Sequence, residues 1–165
     1  MAIVHNHTDC VFCQIIKGNP PDSLIYQDDK VVVFPTLEPV NPGHVLVVPK
    51  VHATYFADLE EETAGHIMKI AQKVASAIRI SNVKCEGINI FVADGEAAGQ
   101  ELFHFHLHVY PRFKEDGFGF KYDKSKHFVR MNRMEMEKIA EEIRSHLKSK
   151  RPAINNVGDS LYDSY

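Results

Sequence analysis

The chain has 165 residues, of which 44% are hydrophobic and 25% are charged, and its formal net charge is -3 with histidine neutral. These values predict one globular domain with a sizeable core, and they disfavour a nucleic-acid partner, which usually requires a basic excess. We expect no membrane partner and no secretion, because no apolar run of about 18 residues and no hydrophobic leader is present. Three cysteines in such a chain favour a reducing compartment, so we expect a cytoplasmic protein.

The first part of the chain predicts a short helix and a hairpin. The apolar segment Val11–Lys17 predicts one or two helical turns, ended by the pair Pro20-Pro21. Residues 23–26 and 31–34 predict two strands joined by a turn of charged residues.

A loop, a strand and the longest helix follow. Residues 35–43 hold three prolines and one glycine, which is typical of a rigid loop. Residues 44–48 are rich in β-branched side chains and predict a strand. Residues 60–80 predict an amphipathic helix, because apolar residues recur at helical spacing: Ile67, Ala71, Val74, Ala75 and Ile78.

The remainder predicts two strands and a second helix. Residues 87–92 and 102–110 predict strands, with a glycine-rich loop at 94–100 between them. Residues 113–129 lack a clear pattern, and 132–149 predict a second amphipathic helix. We expect an α+β fold, with a five-stranded antiparallel sheet, one long helix and a C-terminal helix, because strands and helices do not alternate. The predicted domain covers residues 1–150, and 151–165 form a tail.

Three histidines alternate with apolar residues near the end of the fifth predicted strand. Because strand side chains point to opposite faces in turn, His104, His106 and His108 share one face and the apolar residues between them share the other. Imidazole can attack phosphorus, transfer a proton near neutral pH or bind zinc. The pattern alone also fits an exposed polar face or a metal-binding ladder.

The segment His104-Phe105-His106-Leu107-His108-Val109-Tyr110 resembles the His-φ-His-φ-His-φ-φ signature of the histidine triad superfamily of nucleotide hydrolases and transferases. Residues 29–52, which end in NPGHVLVVPKVH, resemble the proline-glycine loop and the following strand of that family, and residues 95–100 resemble its loop before the triad. The resemblance covers about residues 10–112. It implies a homodimer in which the two sheets are continuous, and hydrolysis of a purine nucleotide at the α-phosphorus through a nucleotidyl-histidine.

The resemblance also implies roles for individual residues. His106 would be the nucleophile, His108 would contact the α-phosphate, and His44 would support the active site from behind. Gln100 would lie near the phosphate or the leaving group. Apolar side chains that would otherwise be read as core would form the base pocket: Phe12, Ile15 and Phe34.

The sequence departs from the family pattern at three substrate positions. Thr36 replaces the aspartate or asparagine that holds the ribose hydroxyls, and Ala93 replaces an asparagine or glutamine. Glu101 occupies a position beside the phosphate where serine or threonine is frequent. These changes leave the nucleophile intact and put the identity of the substrate in question.

Cys10 and Cys13 form a Cys-x-x-Cys pair, which is found in zinc sites, in free thiols and in redox pairs. A tetrahedral zinc needs two more ligands, for which His52 and His104 are the candidates. The order Cys10, Cys13, His52, His104 resembles the zinc site of several microbial members of the family. This reading makes His104 a ligand of a structural zinc ion and leaves Cys85 a structural thiol.

The sequence therefore predicts a hydrolase acting on phosphorus-nitrogen or phosphoanhydride bonds. It leaves open whether the substrate is a phosphoramidate or a dinucleoside polyphosphate. The alternatives are transfer of the nucleotidyl group to an acceptor other than water, and a non-catalytic nucleotide sensor, which the departures at Thr36 and Ala93 motivate.

Overall fold

The computed structural model describes residues 10–18, 23–119 and 130–147. Within these ranges it has three α-helices: α1 (Val11–Lys17), α2 (Glu61–Ile80) and α3 (Arg133–Leu147). The five strands are β1 (Tyr26–Gln27), β2 (Val31–Pro35), β3 (Val45–Pro49), β4 (Gly87–Phe91) and β5 (Leu107–Arg112). The predicted tail, and residues 120–129 of the segment without a pattern, lie outside the described residues.

The strands form one antiparallel sheet in the order β1-β2-β3-β5-β4. This confirms the predicted α+β class and the strand count. Because β5 lies between β3 and β4, His108 of β5 faces Leu46 on one side and Phe91 on the other. His108 therefore lies in the interior of the sheet rather than at its edge.

Each face of the sheet is covered by apolar side chains. On one face, α2 packs its stripe of Ile67, Ile70, Ala71, Val74 and Ile78 against buried strand residues that include Val31, Val47 and Val109. On the other face, α1 contributes Phe12 to a smaller cluster with Val32, Phe34, Leu46 and Val48. Full burial of one such side chain stabilises the fold by about 1.5–3 kcal/mol. The alternation along β2 and β3 thus divides their residues between the two clusters.

Two predicted strands are displaced in the structure. β1 covers Tyr26–Gln27 rather than 23–26, because the Asp28 carboxylate accepts hydrogen bonds from the backbone of Lys30 and Val31 and fixes the turn directly after it. β5 begins at Leu107 rather than at 102 and continues to Arg112. Residues 102–106 instead follow an irregular path, on which the Phe105 N–H donates to the carbonyl of Ala53 at 2.6 Å.

Gly43 is required by the turn that leads into β3. Its φ is 96°, and an added Cβ would lie 2.7 Å from Cγ1 of Val83 and 3.3 Å from Cγ of Pro111. Only glycine combines this backbone conformation with so close an approach. The turn places His44 immediately before β3, beside the strand that carries His108.

The described residues up to Phe118 form one compact unit, and those from Gly119 onward belong to a second. In the second unit, α3 carries the predicted amphipathic pattern, and its apolar residues Met136, Ile139, Ile143 and Leu147 are exposed. Among the described helices, none is both long and apolar enough to span a membrane. The single domain over residues 1–150 stays a prediction, since part of that range lies outside the described residues.

Candidate active site

The three histidines lie on one face of the sheet, as their spacing predicts. Phe105, Leu107 and Val109 point into the core under α2. On the opposite face, the rings of His106 and His108 have centroids 4.8 Å apart. His104 and His106 precede β5, so they extend the row of histidines beyond the regular strand.

His106 has one ring nitrogen fixed by the backbone. Its Nδ1 lies 2.8 Å from the carbonyl oxygen of His104 and donates to it, because a carbonyl can only accept. The neutral ring then carries its lone pair on Nε2. Burial lowers the pKa of His106, an effect opposed by the hydrogen bond to His104, so the ring is neutral at pH 7. This is the state that a nitrogen nucleophile requires.

A second chain of hydrogen bonds sets the tautomer of His108. The Val40 N–H donates to Nδ1 of His44 at 3.1 Å, so the proton of the neutral His44 ring is on Nε2. That Nε2 lies 2.9 Å from Nδ1 of His108 and donates to it, which leaves the His108 proton on Nε2. Burial, together with the neighbouring His106 and His44, lowers the pKa of His108 to about 4. His108 therefore offers a neutral N–H donor beside His106.

Four predicted metal ligands lie together at the start of α1. The sulfur atoms of Cys10 and Cys13 and the ring nitrogens of His52 and His104 all lie within 4.8 Å of one another. The Cys10 Sγ to His104 Nδ1 distance is 3.4 Å, and the Cys13 Sγ to His52 Nδ1 distance is 3.3 Å. A tetrahedral zinc ion with usual bond lengths has sulfur–nitrogen edges of about 3.6 Å, so the donor set and its spacing fit zinc.

His104 is oriented for metal binding by its other nitrogen. Its Nε2 donates to the carbonyl of Pro49 at 2.9 Å, which directs the lone pair of Nδ1 towards the sulfur atoms. Among the described residues, this is the group of histidine, cysteine and acidic side chains that could hold a metal ion. Because the backbone carbonyl of His104 also accepts from His106, one residue joins the metal cluster to the histidine face.

The three predicted base-pocket residues lie in one apolar cluster beside these histidines. Phe12 and Phe34 are buried with ring centroids 5.9 Å apart, and Ile15 is half-buried against them. The Phe12 ring also contacts His106, at a centroid distance of 5.2 Å. The cluster therefore forms an apolar boundary to the space around the predicted nucleophile.

The other predicted substrate residues lie on two loops. Thr36 is half-buried, and its hydroxyl oxygen accepts from the Glu38 N–H at 3.4 Å. Glu101 is exposed. Gln100 is buried, and its amide accepts from the Gly95 N–H at 2.8 Å and donates to the carbonyl of Leu102 on its own loop and to the carbonyl of Thr54 after β3. Ala93 is buried, and the exposed Asp94 accepts from the Phe56 N–H at 2.9 Å.

Three residues for which the sequence predicts no role form a hydrogen-bonded group behind His44. The buried amide of Asn41 donates to Asp116, whose carboxylate also pairs with Arg112 at 2.5 Å. Asn41 belongs to the proline-glycine loop, and Asp116 lies four residues after Arg112. The only signal in the sequence is an amide between two prolines, which does not identify its partner.

Comparison with known protein families gives one consistent result. A model described as the HIT domain matches residues 17–115. A HIT-like protein from Borreliella burgdorferi is 44% identical over 114 residues, which cover 68% of this chain and 82% of that protein. Adenylylsulfatase HINT3 from Arabidopsis thaliana is 34% identical over 146 residues, which cover 86% of this chain and 71% of that protein.

Solved structures have the same architecture. A HIT family protein from Bacillus anthracis superposes with a TM-score of 0.73 at 38% identity, covering 85% of this chain and 98% of that one. A Zn-bound histidine triad family protein from Mycobacterium smegmatis has a TM-score of 0.65 at 34% identity, covering 86% of this chain and 97% of that one. The zinc-bound neighbour and the cluster of two cysteines and two histidines fit a zinc-binding type of this fold.

Proposed function

The chain belongs to the HIT domain family, and on that premise we propose that it hydrolyses a nucleotide at the α-phosphate through a nucleotidyl-histidine on His106. The observation that carries the proposal is the hydrogen bond from His106 Nδ1 to the carbonyl of His104. It leaves Nε2 with its lone pair in a ring that burial keeps neutral. The relative named adenylylsulfatase supports nucleotide hydrolysis as the class of reaction.

The proposed reaction has two displacements at phosphorus. The lone pair on His106 Nε2 attacks the α-phosphorus, and the bond from phosphorus to the leaving group breaks with its electron pair. Water then attacks the same phosphorus, the phosphorus–nitrogen bond breaks, and the nucleoside monophosphate is released. The His108 Nε2–H donates to an oxygen of the α-phosphate, where negative charge increases in the transition state.

Substrate binding is assigned to the two features beside the histidines. The apolar cluster of Phe12, Ile15 and Phe34 would contact a purine base, for which a flat apolar surface is suitable. Gln100 would act through the loop that it holds, placing backbone groups of residues 94–100 near the phosphate or leaving group. The neighbouring Glu101 is assigned to the same region.

We propose that Cys10, Cys13, His52 and His104 hold a zinc ion with a structural role. When bound, it ties α1 to the segment that precedes β5. This link would help to position Phe12 against the nucleophile, because Phe12 lies between the two cysteines and contacts His106. Assembly as a homodimer and a cytoplasmic location stay predictions.

The direct test measures AMP release from three substrates that differ in the leaving group: adenosine phosphoramidate, diadenosine tetraphosphate and adenylyl sulfate. Release of AMP supports the proposal, and the preferred substrate identifies the leaving group. Transfer to an added acceptor alcohol without hydrolysis would identify a transferase. Nucleotide binding without turnover of any of them would identify a sensor and overturn the proposal.

The pH dependence of kcat/KM should show an acid limb below the usual pKa of histidine, which is about 6.5. Protonation of His106 removes its lone pair, and because burial lowers its pKa, the neutral ring persists to lower pH than in solution. We therefore expect kcat/KM to be level near pH 7 and to fall only in the acid range. Steady-state rates between about pH 5 and about pH 8 measure this. If kcat/KM instead begins to fall with decreasing pH already above about pH 7, a group other than His106 limits the reaction.

The values of kcat/KM for ribose and deoxyribose substrates should differ by no more than about a few-fold. Thr36 offers one neutral hydroxyl, so no charged acceptor is left unpaired when a sugar hydroxyl is missing. Thr36→Asp should raise the preference for ribose. The matched control is Thr63→Asp, which adds the same charge on α2, on the opposite face of the sheet. Comparison of kcat/KM for paired ribo- and deoxyribonucleotide substrates measures the effect. A strong ribose preference of the unaltered protein would show that another residue binds the sugar.

A further inference from the structure

The loop before β3 contacts both the backbone and the ring of His44. The backbone carbonyl of Asn41 accepts from the His44 N–H at 3.0 Å, and the Val40 N–H donates to His44 Nδ1 at 3.1 Å. Two adjacent loop residues therefore position the backbone and the ring of His44. Because a backbone N–H can only donate, the contact with Val40 permits one tautomer of the neutral ring.

The side chain of Asn41 fastens this loop to β5. Its Nδ2 donates to the carbonyl of Pro111 and to Oδ2 of Asp116, each at 2.9 Å. Pro111 is three residues from His108 on the same strand. The amide therefore sets the separation between the loop that holds His44 and the strand that holds His108. Across this separation, Nε2 of His44 lies 2.9 Å from Nδ1 of His108.

Asp116 is a fixed and fully occupied acceptor. Its side chain is only 3% exposed, and it pairs with Arg112 through both oxygens, at 2.5 and 2.8 Å. Its carboxylate also accepts from the Phe118 N–H at 3.1 Å. Both partners of the Asn41 Nδ2 are acceptor oxygens. A flipped amide would place its own oxygen against them, so the orientation of the Asn41 amide group is determined.

We propose that Asn41, held by Asp116, is a positioning residue that fixes the tautomers of His44 and His108 and so presents an N–H of His108 to the α-phosphate. The mechanistic part of this proposal rests on the proposed function. Without the Asn41 amide, the loop is released from β5 and Val40 no longer holds His44 Nδ1. The other tautomer of His44 then directs a lone pair towards His108, and a lone pair on His108 Nε2 would face the phosphate oxygens.

A purely structural role for Asn41 makes a different prediction. Loss of hydrogen bonds to a buried loop would lower the free energy of unfolding in either case. Only the positioning role changes which ring nitrogen of His44 and His108 carries the proton. It also predicts that kcat falls while KM stays nearly constant, because the affected donor interacts most strongly in the transition state.

The experiment compares Asn41→Ala and Asp116→Asn with Asp28→Asn as the matched control. Asp28 is also a carboxylate that accepts from backbone N–H groups, and it pairs with His66 at the β1–β2 turn. Nitrogen-15 NMR of the histidine rings, assigned with His44→Asn and His108→Asn, reports the protonated nitrogen of each ring. Steady-state kinetics on the best of the three adenylyl substrates supplies kcat and KM.

We expect the unaltered protein and Asp28→Asn to show single Nε2–H tautomers at His44 and His108. Asn41→Ala should populate both tautomers and lower kcat by about 10- to 100-fold, with KM within about two-fold. Asp116→Asn leaves one acceptor oxygen for Arg112 and Asn41 to share, so its effect should be smaller but still measurable in both the tautomers and kcat. If Asn41→Ala folds and its histidine tautomers are unchanged, the proposal is overturned. If Asn41→Ala does not fold, the proposal is overturned by an Asp116→Asn variant in which the tautomers and kcat are both unchanged.

The tautomers are measured without substrate, so the two proposals can fail separately. If none of the proteins releases AMP while the tautomers shift as expected, the proposed function is wrong and the positioning role of Asn41 is retained. If AMP is released and the tautomers do not respond to Asn41, the positioning role is wrong and the function is retained.

Discussion

Replacing His106 with asparagine should lower turnover by at least about 10³-fold while nucleotide affinity changes by no more than about a few-fold. Asparagine retains some of the polarity and volume of the ring, and its amide can still donate to the carbonyl of His104. It cannot form the phosphorus–nitrogen bond of the intermediate. The loss should therefore appear in kcat, with the dissociation constant of a nucleotide product measured separately by calorimetry.

Three further histidine variants separate the nucleophile from its neighbours. His108→Asn should cost less than His106→Asn, because it removes one donor to the phosphate and leaves the nucleophile in place. His104→Asn should act mainly by loss of metal and of stability. His66→Asn is the matched control, since His66 lies on α2 with its Nε2 bound to Asp28 at 2.7 Å, on the opposite face of the sheet.

A chemically quenched reaction supplies an independent test of His106. The unaltered protein should yield a nucleotidyl adduct that is labile in acid, as a phosphoramidate bond is, and His106→Asn should yield none. If His106→Asn turns over at near the original rate, the nucleophile is another group. The row of histidines would then be interpreted as a metal-binding ladder.

The periodicity of the sequence was sufficient to predict most of the fold. α1 has the predicted bounds, and α2 begins within one residue of its predicted start, because their apolar residues are arranged at helical spacing. The alternation from His104 to Val109 predicted which side chains face the core, since Phe105, Leu107 and Val109 are buried there. It did not predict where β5 begins, since a strand requires a hydrogen-bonding neighbour, and β3 pairs with β5 only as far as Leu107.

The site was predictable only where a local pattern marked it. The triplet of histidines, through the family that it resembles, predicted His106 as the nucleophile, and in the structure the carbonyl of His104 accepts from its Nδ1. The group formed by Asn41, Asp116 and Arg112 could not be found in this way. Asn41 and Asp116 are 75 residues apart, and their contact depends on the register of β3 against β5.

The contacts of Gln100 could not be predicted from the sequence either. The resemblance places it near the phosphate, but a residue type does not determine which groups its amide contacts. In the structure both ends of the amide hold the loop 94–102, through Gly95, Thr54 and Leu102. The proposed role of Gln100 is therefore to shape the loop, and a direct contact with substrate would require the amide to exchange these partners.

Protein prepared without chelator should contain close to one zinc ion per chain, and Cys13→Ser should lose it. The Sγ of Cys13 lies 3.3 Å from Nδ1 of His52 and 3.6 Å from Nδ1 of His104, so its removal takes away the sulfur that contacts both histidines. A ligand present at about 1,000 times its dissociation constant stabilises a protein by about 4 kcal/mol. For a chain of this size we therefore expect Tm to fall by about 10 °C.

Cys85→Ser is the matched control, because it makes the same chemical change at a thiol that donates to the carbonyl of Gly87, away from the cluster. It should retain zinc and most of the original Tm. Below the lowered Tm, Cys13→Ser should still form the His106 adduct, since the buried Phe105 and its hydrogen bond to Ala53 hold the backbone beside the His104 carbonyl without the metal. Metal analysis and thermal unfolding give the result, and freshly purified protein without zinc would contradict the assignment of Cys10, Cys13, His52 and His104 as a zinc site.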